Sequence, residues 1–154
     1  MKKNLFKFIG LGLLLIAFVY HGVWFANRCL IYYPLTENIP KHVSGVYAYY
    51  DPESKYNYNV KFPNYLSFTG NLAISSNNGE GLIIWPGFFG KDYTYGLMLE
   101  YKGKIHQIYV DNMMNPIDTD PNKKEILDAN KDTAQALKQG AQIIWPDAFT
   151  PEKR

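Results

Sequence analysis

Hydrophobic and polar positions divide the chain into three stretches of different rhythm. Residues 8–27 run for twenty positions without an Asp, Glu, Lys or Arg. A helix of that length is about 30 Å long at about 1.5 Å per residue, the thickness of a bilayer's hydrocarbon core. Ile9, Leu11, Leu13, Leu14, Leu15 and Ile16 cover every face of it, whereas a core helix of a globular protein keeps a polar stripe for water. The pattern predicts a transmembrane helix over residues 8–27. Tyr20, Trp24, Tyr32 and Tyr33 fit an aromatic belt at its outer interface, and His21 is expected to reach headgroups or water.

The second stretch has period two. Tyr56, Tyr58, Val60 and Phe62 alternate with Asn57, Asn59 and Lys61, the signature of a half-buried strand. Residues 46–50 supply a partner across the Asp51-Pro52 turn, residues 65–74 a third strand, and Leu82, Ile83, Ile84 and Trp85 a central strand ended by Pro86. Residues 93–101 and 104–110 flank the two-residue turn Lys102-Gly103, which fixes the register of a hairpin. Pairing Tyr101 with Lys104 sets Leu99 opposite His106, Leu97 opposite Ile108 and Tyr95 opposite Val110. One face is then apolar, and Met98, Glu100, Gln107 and Tyr109 take the other. Gly96 marks a bulge or a close approach.

The third stretch loses alternation after Asp111. Residues 121–139, rich in Lys, Glu, Ala, Leu and Gln, predict a helix. Asp120 is its N-cap before Pro121, with Asn122 and Glu125 a competing capping box, and Gly140 is its stop. Leu127, Ala134, Leu137 and Ala141 make a narrow stripe interrupted by Asn130, so the helix is expected to lie on the sheet. Ile143, Ile144 and Trp145 are expected as a last strand. With Pro146 and Phe149 they echo Ile83, Ile84, Trp85, Pro86 and Phe89 sixty positions earlier, which suggests two similar buried sheet edges.

These elements predict an α+β chain: a transmembrane helix, then a mainly antiparallel sheet with one C-terminal helix packed on it. The expected organisation is a cytoplasmic stub and anchor over residues 1–27, a tether over 28–40 limited by Pro34 and Pro40, and an extracytoplasmic domain over 41–154.

Charge orients this layout. Lys2, Lys3 and Lys7 precede the span and predict a cytoplasmic N-terminus, with the remainder periplasmic or extracellular. Bulky Tyr20 to Phe25 disfavour signal cleavage, and Arg28 before Cys29 disfavours lipidation. Setting those three lysines aside leaves 13 of the 16 basic residues against 14 acidic ones, so no nucleic-acid partner is indicated. At 154 residues the chain is long enough for one domain, and a single cysteine excludes an intramolecular disulfide framework.

Most chemical motifs fail on spacing. Residues 87–91 have glycines too close for a phosphate loop, and Asp92 replaces its Ser or Thr. Asp118, Asp120 and Asn122 begin like a calcium loop, but Lys123 and Ala129 stand where Gly and Glu are needed. No metal set or cofactor site is indicated. Of the histidines, His42 has no placed environment. His106, with an acidic residue such as Asp111, is the catalytic candidate of a small envelope hydrolase. Thirteen tyrosines exceed what a core needs, because each buried hydroxyl requires a partner. Tyr56, Tyr58, Asn57 and Asn59 have the composition of a recognition surface. The leading expectation is a membrane-anchored module of the bacterial envelope, an immunity-type inhibitor or accessory subunit, that binds a protein without catalysis. A sugar or cell-wall binding module is the other alternative.

Overall fold

The computed structural model describes residues 2–41, 47–65 and 67–150, with side chains from Phe6 onward. Helix α1 spans Lys2–Asn27 and runs on through a π-helical turn, Arg28–Tyr32, and a 3-10 turn, Pro34–Thr36. It is long and apolar enough to cross a membrane, with a mean hydropathy of 2.0 in its most apolar window and none of that window buried.

Six strands follow: β1 Tyr47–Asp51, β2 Tyr56–Lys61, β3 Asn71–Ser75, β4 Gly81–Pro86, β5 Tyr93–Tyr101 and β6 Lys104–Val110. They form one open antiparallel sheet in sequence order, so each strand pairs only with its chain neighbours. The expected start of β1 at Val46 and the candidate His42 lie outside the described residues. The third strand is shorter than expected, beginning at Asn71, and residues 67–70 before it form a loop. In the β5–β6 hairpin the register is the expected one: Tyr101 opposite Lys104, Leu99 opposite His106, Leu97 opposite Ile108 and Tyr95 opposite Val110. Lys102 and Gly103 have φ of 52° and 77°, the left-handed pair of a type I′ turn whose twist matches the flanking strands.

The core lies on one face of the sheet, where Leu72, Ile74, Leu82, Ile84, Leu97, Leu99, Ile108 and Val110 are fully buried. Helices α2, Pro121–Ala129, and α3, Lys131–Ile144, cover it, α3 over β3 and β4 and α2 beside β5. Asp120 caps α2 by accepting from the Asn122 backbone N–H. The single helix expected over residues 121–139 is thus two. Asn130 breaks it, its side-chain amide donating to the carbonyls of Ile126 and Glu100 and so fastening the junction to β5.

Gly140 does not stop the helix. It is buried within α3, and a Cβ there would lie 2.6 Å from Ile74 Cδ1 and 3.2 Å from Tyr58 Oη, so its role is close approach to the sheet. Ile143, Ile144 and Trp145 are correspondingly not a strand. The first two end α3, and Ile143 is 76% exposed. Burial of Leu137 and Ala141 carries the helical register past the β-branched pair, whose strand propensity is a weak preference. The echo of residues 83–86 therefore joins a strand to a helix end.

Residues 28–40, expected as a tether, pack against the core face. Tyr32 is 1% exposed, its hydroxyl accepting from the Gly70 N–H at 2.8 Å, and Ile39 is buried. The Leu35 carbonyl accepts from Trp145 Nε1 at 2.9 Å. Tyr32 belongs to the core and not to an aromatic belt, because its hydroxyl finds a backbone partner inside the domain.

Candidate functional site

One face of the sheet carries the helices, so alternate residues of every strand point away from them. Across the registers this open face reads Tyr50 and Asn57, Asn59 and Ala73, Ile83 and Gly96, Met98 and Gln107. Tyr50, Ile105 and Tyr109 are exposed, and Ile83, Trp85 and Met98 half-buried. The Trp85 ring lies over Gly96, where a Cβ would come within 2.9 Å of two of its ring carbons. Tyr109 sits beside it, ring centroids 5.9 Å apart and planes at 40°. Glycine at position 96 thus lets the indole lie flat, and the two rings form an aromatic patch bordered by the Gln107 amide.

The residues singled out from the sequence are divided by the sheet. Tyr56 and Tyr58 face α3, and Tyr58 is 3% exposed and packs against Trp145, so it presents nothing to a partner. Asn57 and Asn59 lie on the open face, Asn57 donating to the Asn77 side chain at 3.3 Å. Trp85 and Ile83 on that face were hidden in an apolar run read wholly as core. The signal for them was that a run without alternation places apolar groups on both faces of a strand.

His106 and Asp111 are not brought together. Five positions along an extended strand separate them by about 16 Å. His106 is half-buried in a groove of about 380 Å³ with Tyr101, Lys102, Asn122 and Glu125, its ring edge-on to Tyr101. Asp111 borders a different hollow of about 350 Å³ with Asp92, Tyr93 and Tyr95. Its carboxylate accepts from the backbone N–H groups of Met113 and Asn115 and from the Asn115 side chain, each at 2.8 to 2.9 Å. Partial burial opposes its charge, but these donors prevail and hold the carboxyl below the usual range. The group is spent on closing its own turn. Among the described residues no three His, Cys, Asp or Glu side chains gather as a metal set.

A second constellation lies where α1 meets the sheet domain. His21, Trp24, Asn27 and Arg28 each contact a loop. Trp24 Nε1 donates to the Asn64 carbonyl at 3.1 Å, Asn27 Nδ2 to the Phe88 carbonyl at 3.0 Å, and Arg28 Nη1 to the Pro63 carbonyl at 2.8 Å. His21 Nδ1 faces the Ala17 carbonyl at 2.7 Å. A carbonyl only accepts, so Nδ1 donates to it, and Nε2 pairs with the Tyr65 hydroxyl. Sequence periodicity gave no sign of these pairs, which join positions about 35 to 61 apart.

No protein-family model, curated protein or solved structure matches the chain.

Proposed function

We propose that the protein is a single-pass, membrane-anchored binding module whose domain lies outside the cytosol and whose open sheet face meets a protein partner in the envelope, without catalysis. The carrying observation is that face: among the described residues α2 and α3 cover the other side, and Trp85, Tyr109, Ile83, Met98 and Tyr50 stand on it among Asn and Gln side chains. Aromatic and methionine groups bordered by amides are the composition of interface centres, which are poor in charge. The three lysines before α1 support a cytoplasmic N-terminus. The separation of His106 from Asp111 removes the geometric support for a hydrolase built on that pair, since a base must lie within hydrogen-bond reach of its partners.

Photo-crosslinking in intact cells tests the reading. A crosslinking amino acid at Ile83 or Tyr109 of the full chain is expected to trap a discrete polypeptide, and one at Lys131, exposed on α3, is not. Absence of any adduct from the open face, or equal adducts from Lys131, overturns it. The Trp85 and Tyr109 rings beside Gln107 also suit a sugar ring, and an adduct resistant to protease but cleaved by glycan hydrolysis would assign that occupant instead.

A further inference from the structure

We infer that residues 63–65, 67–70 and 87–90 dip into the outer leaflet beside α1, and that the apolar groove between these loops and the helix holds an acyl chain of a bilayer lipid. The inference rests on α1 spanning the membrane and adds a lipid-binding site to it.

The groove is open and offers about 470 Å³ between Leu15, Ile16, Val19, Tyr20 and Val23 on the helix and Phe68 and Phe88 on the loops. The Phe68 ring packs on Tyr20 and on Phe88, centroids 5.3 and 5.1 Å apart. Depth follows from helix geometry. From Lys7 to Val19 is about 18 Å, well short of a hydrocarbon core of about 30 Å, so the span must run on to Asn27. Rings level with Val19 and Val23 then sit about 12 and 6 Å inside the outer boundary. Tilt does not lift them out, because a tilted helix needs more residues to cross and moves the boundary further along the chain.

Several backbone groups of the loops are also paired internally, as a solvent without hydrogen bonds requires. In lipid every backbone polar group needs an internal partner. The Phe88 carbonyl takes the Asn27 amide, and the Pro63 and Asn64 carbonyls take Arg28 and Trp24. Within the turns, Gly87 N–H donates to the Asp92 carbonyl, Gly90 N–H to that of Gly87, and Ser67 N–H to that of Asn64. In the 87–90 turn the side chains do the reverse of what water favours: Phe89, at its tip, is 79% exposed, and Phe88 beside it 45%. The groove is continuous with the helix face that meets lipid, and apart from Tyr20 its wall is made of aliphatic side chains and phenylalanine rings. An acyl chain is the occupant that needs no polar partner there.

Spin-label depth measurement on the full-length chain in phosphatidylcholine–phosphatidylglycerol vesicles tests this. With Cys29→Ser as background, Phe88→Cys reads the groove and Phe89→Cys the turn tip, while Leu13→Cys serves as the hydrocarbon reference and Lys131→Cys as the aqueous one. Labels at 88 and 89 are expected to collide with oxygen several-fold more often than with an aqueous nickel chelate, as at Leu13. If Leu13 reads as hydrocarbon while both loop labels read like Lys131, the anchor stands and this inference falls. If the loop labels meet neither reagent, a protein surface and not lipid covers them, and it falls again. An aqueous reading at Leu13 removes the span itself, and the lipid site with it.

Discussion

The Arg28 guanidinium donates to the Pro63 carbonyl at 2.8 Å while lying over the rings of Phe62 and Trp24, 4.7 and 5.2 Å from their centroids. One side chain thus joins the first residue after α1 to the β2–β3 loop and fixes how the domain sits against its helix. A charged donor on a carbonyl contributes about 1.5–3 kcal/mol, and each ring about 0.5–1 kcal/mol more. Arg28→Leu is expected to lower stability by about 2.5–5 kcal/mol, or about 5–20 °C in Tm for a chain of this size. Arg28→Lys, lacking the planar fork, is expected to recover less than half of that. Thermal unfolding of the detergent-solubilised protein, followed by circular dichroism, reads both, and an unchanged midpoint in Arg28→Leu would refute the role.

Gly140 sets two magnitudes against each other. Alanine in mid-helix gains about 1 kcal/mol over glycine, but its Cβ would lie 2.6 Å from Ile74 Cδ1. Forcing α3 off the sheet costs about 1–3 kcal/mol. Overpacking wins, and Gly140→Ala is expected to unfold at lower denaturant concentration than the parent. A higher midpoint would mean that the helix–sheet contact is looser than the geometry requires.

Tyr95 provides a pH dependence at the alkaline end. Burial, then the neighbouring Tyr93 and Asp111 charges, push its hydroxyl up to about 12, and it donates to the Ala148 carbonyl. The unfolded chain releases this proton near pH 10 and the folded chain only near 12. The stabilisation is therefore complete below pH 10 and is lost as pH climbs from 10 towards 12. Tyr95→Phe is expected to cost about 1 kcal/mol at neutral pH through the lost hydrogen bond. It should also flatten the fall in stability between pH 10 and 12, measured by urea unfolding at each pH. The slope is reduced and not abolished, because burial also raises Tyr58 and Tyr93.

His106 and Asp111 are expected to part company on substitution. His106 is half-buried near the hairpin tip with its ring edge-on to Tyr101, so His106→Ala should shift stability by less than about 1 kcal/mol and leave open-face crosslinking unchanged. Asp111→Ala removes an acceptor of three hydrogen bonds and should cost about 1–3 kcal/mol. Its carboxyl is held low in the fold, so this contribution is present above the ordinary carboxylate range and disappears as pH falls through the folded value. Urea titrations at pH 7 and at steps downward through the ordinary carboxylate range should show the gap between the parent and Asp111→Ala narrowing in acid. A constant gap between them would contradict the assignment.

Sequence alone determined whatever depends on neighbours in the chain. The apolar span needs only length and composition, and the β5–β6 register needs only a two-residue turn and alternation, so Leu99 opposite His106 followed from local rules. Asp120 capped its helix for the same reason.

Tertiary structure decided what depends on distant surfaces. The β-branched pair Ile143-Ile144 reads locally as a strand, yet helix α3 carries through it because Leu137, Gly140 and Ala141 are held against the sheet. Tyr58 looks available on an alternating strand until α3 covers it, and Trp85 looks buried until the strand register turns it to the face away from α2 and α3, where it is half-buried. Residues 28–40 resemble a linker, but Tyr32 finds Gly70 thirty-eight positions away. The partners of Trp24, Asn27 and Arg28 are loop carbonyls, groups every residue possesses, so no side-chain pattern could announce them. Burial and backbone hydrogen bonding are settled by which surfaces meet, and that is written in three dimensions and not along the chain.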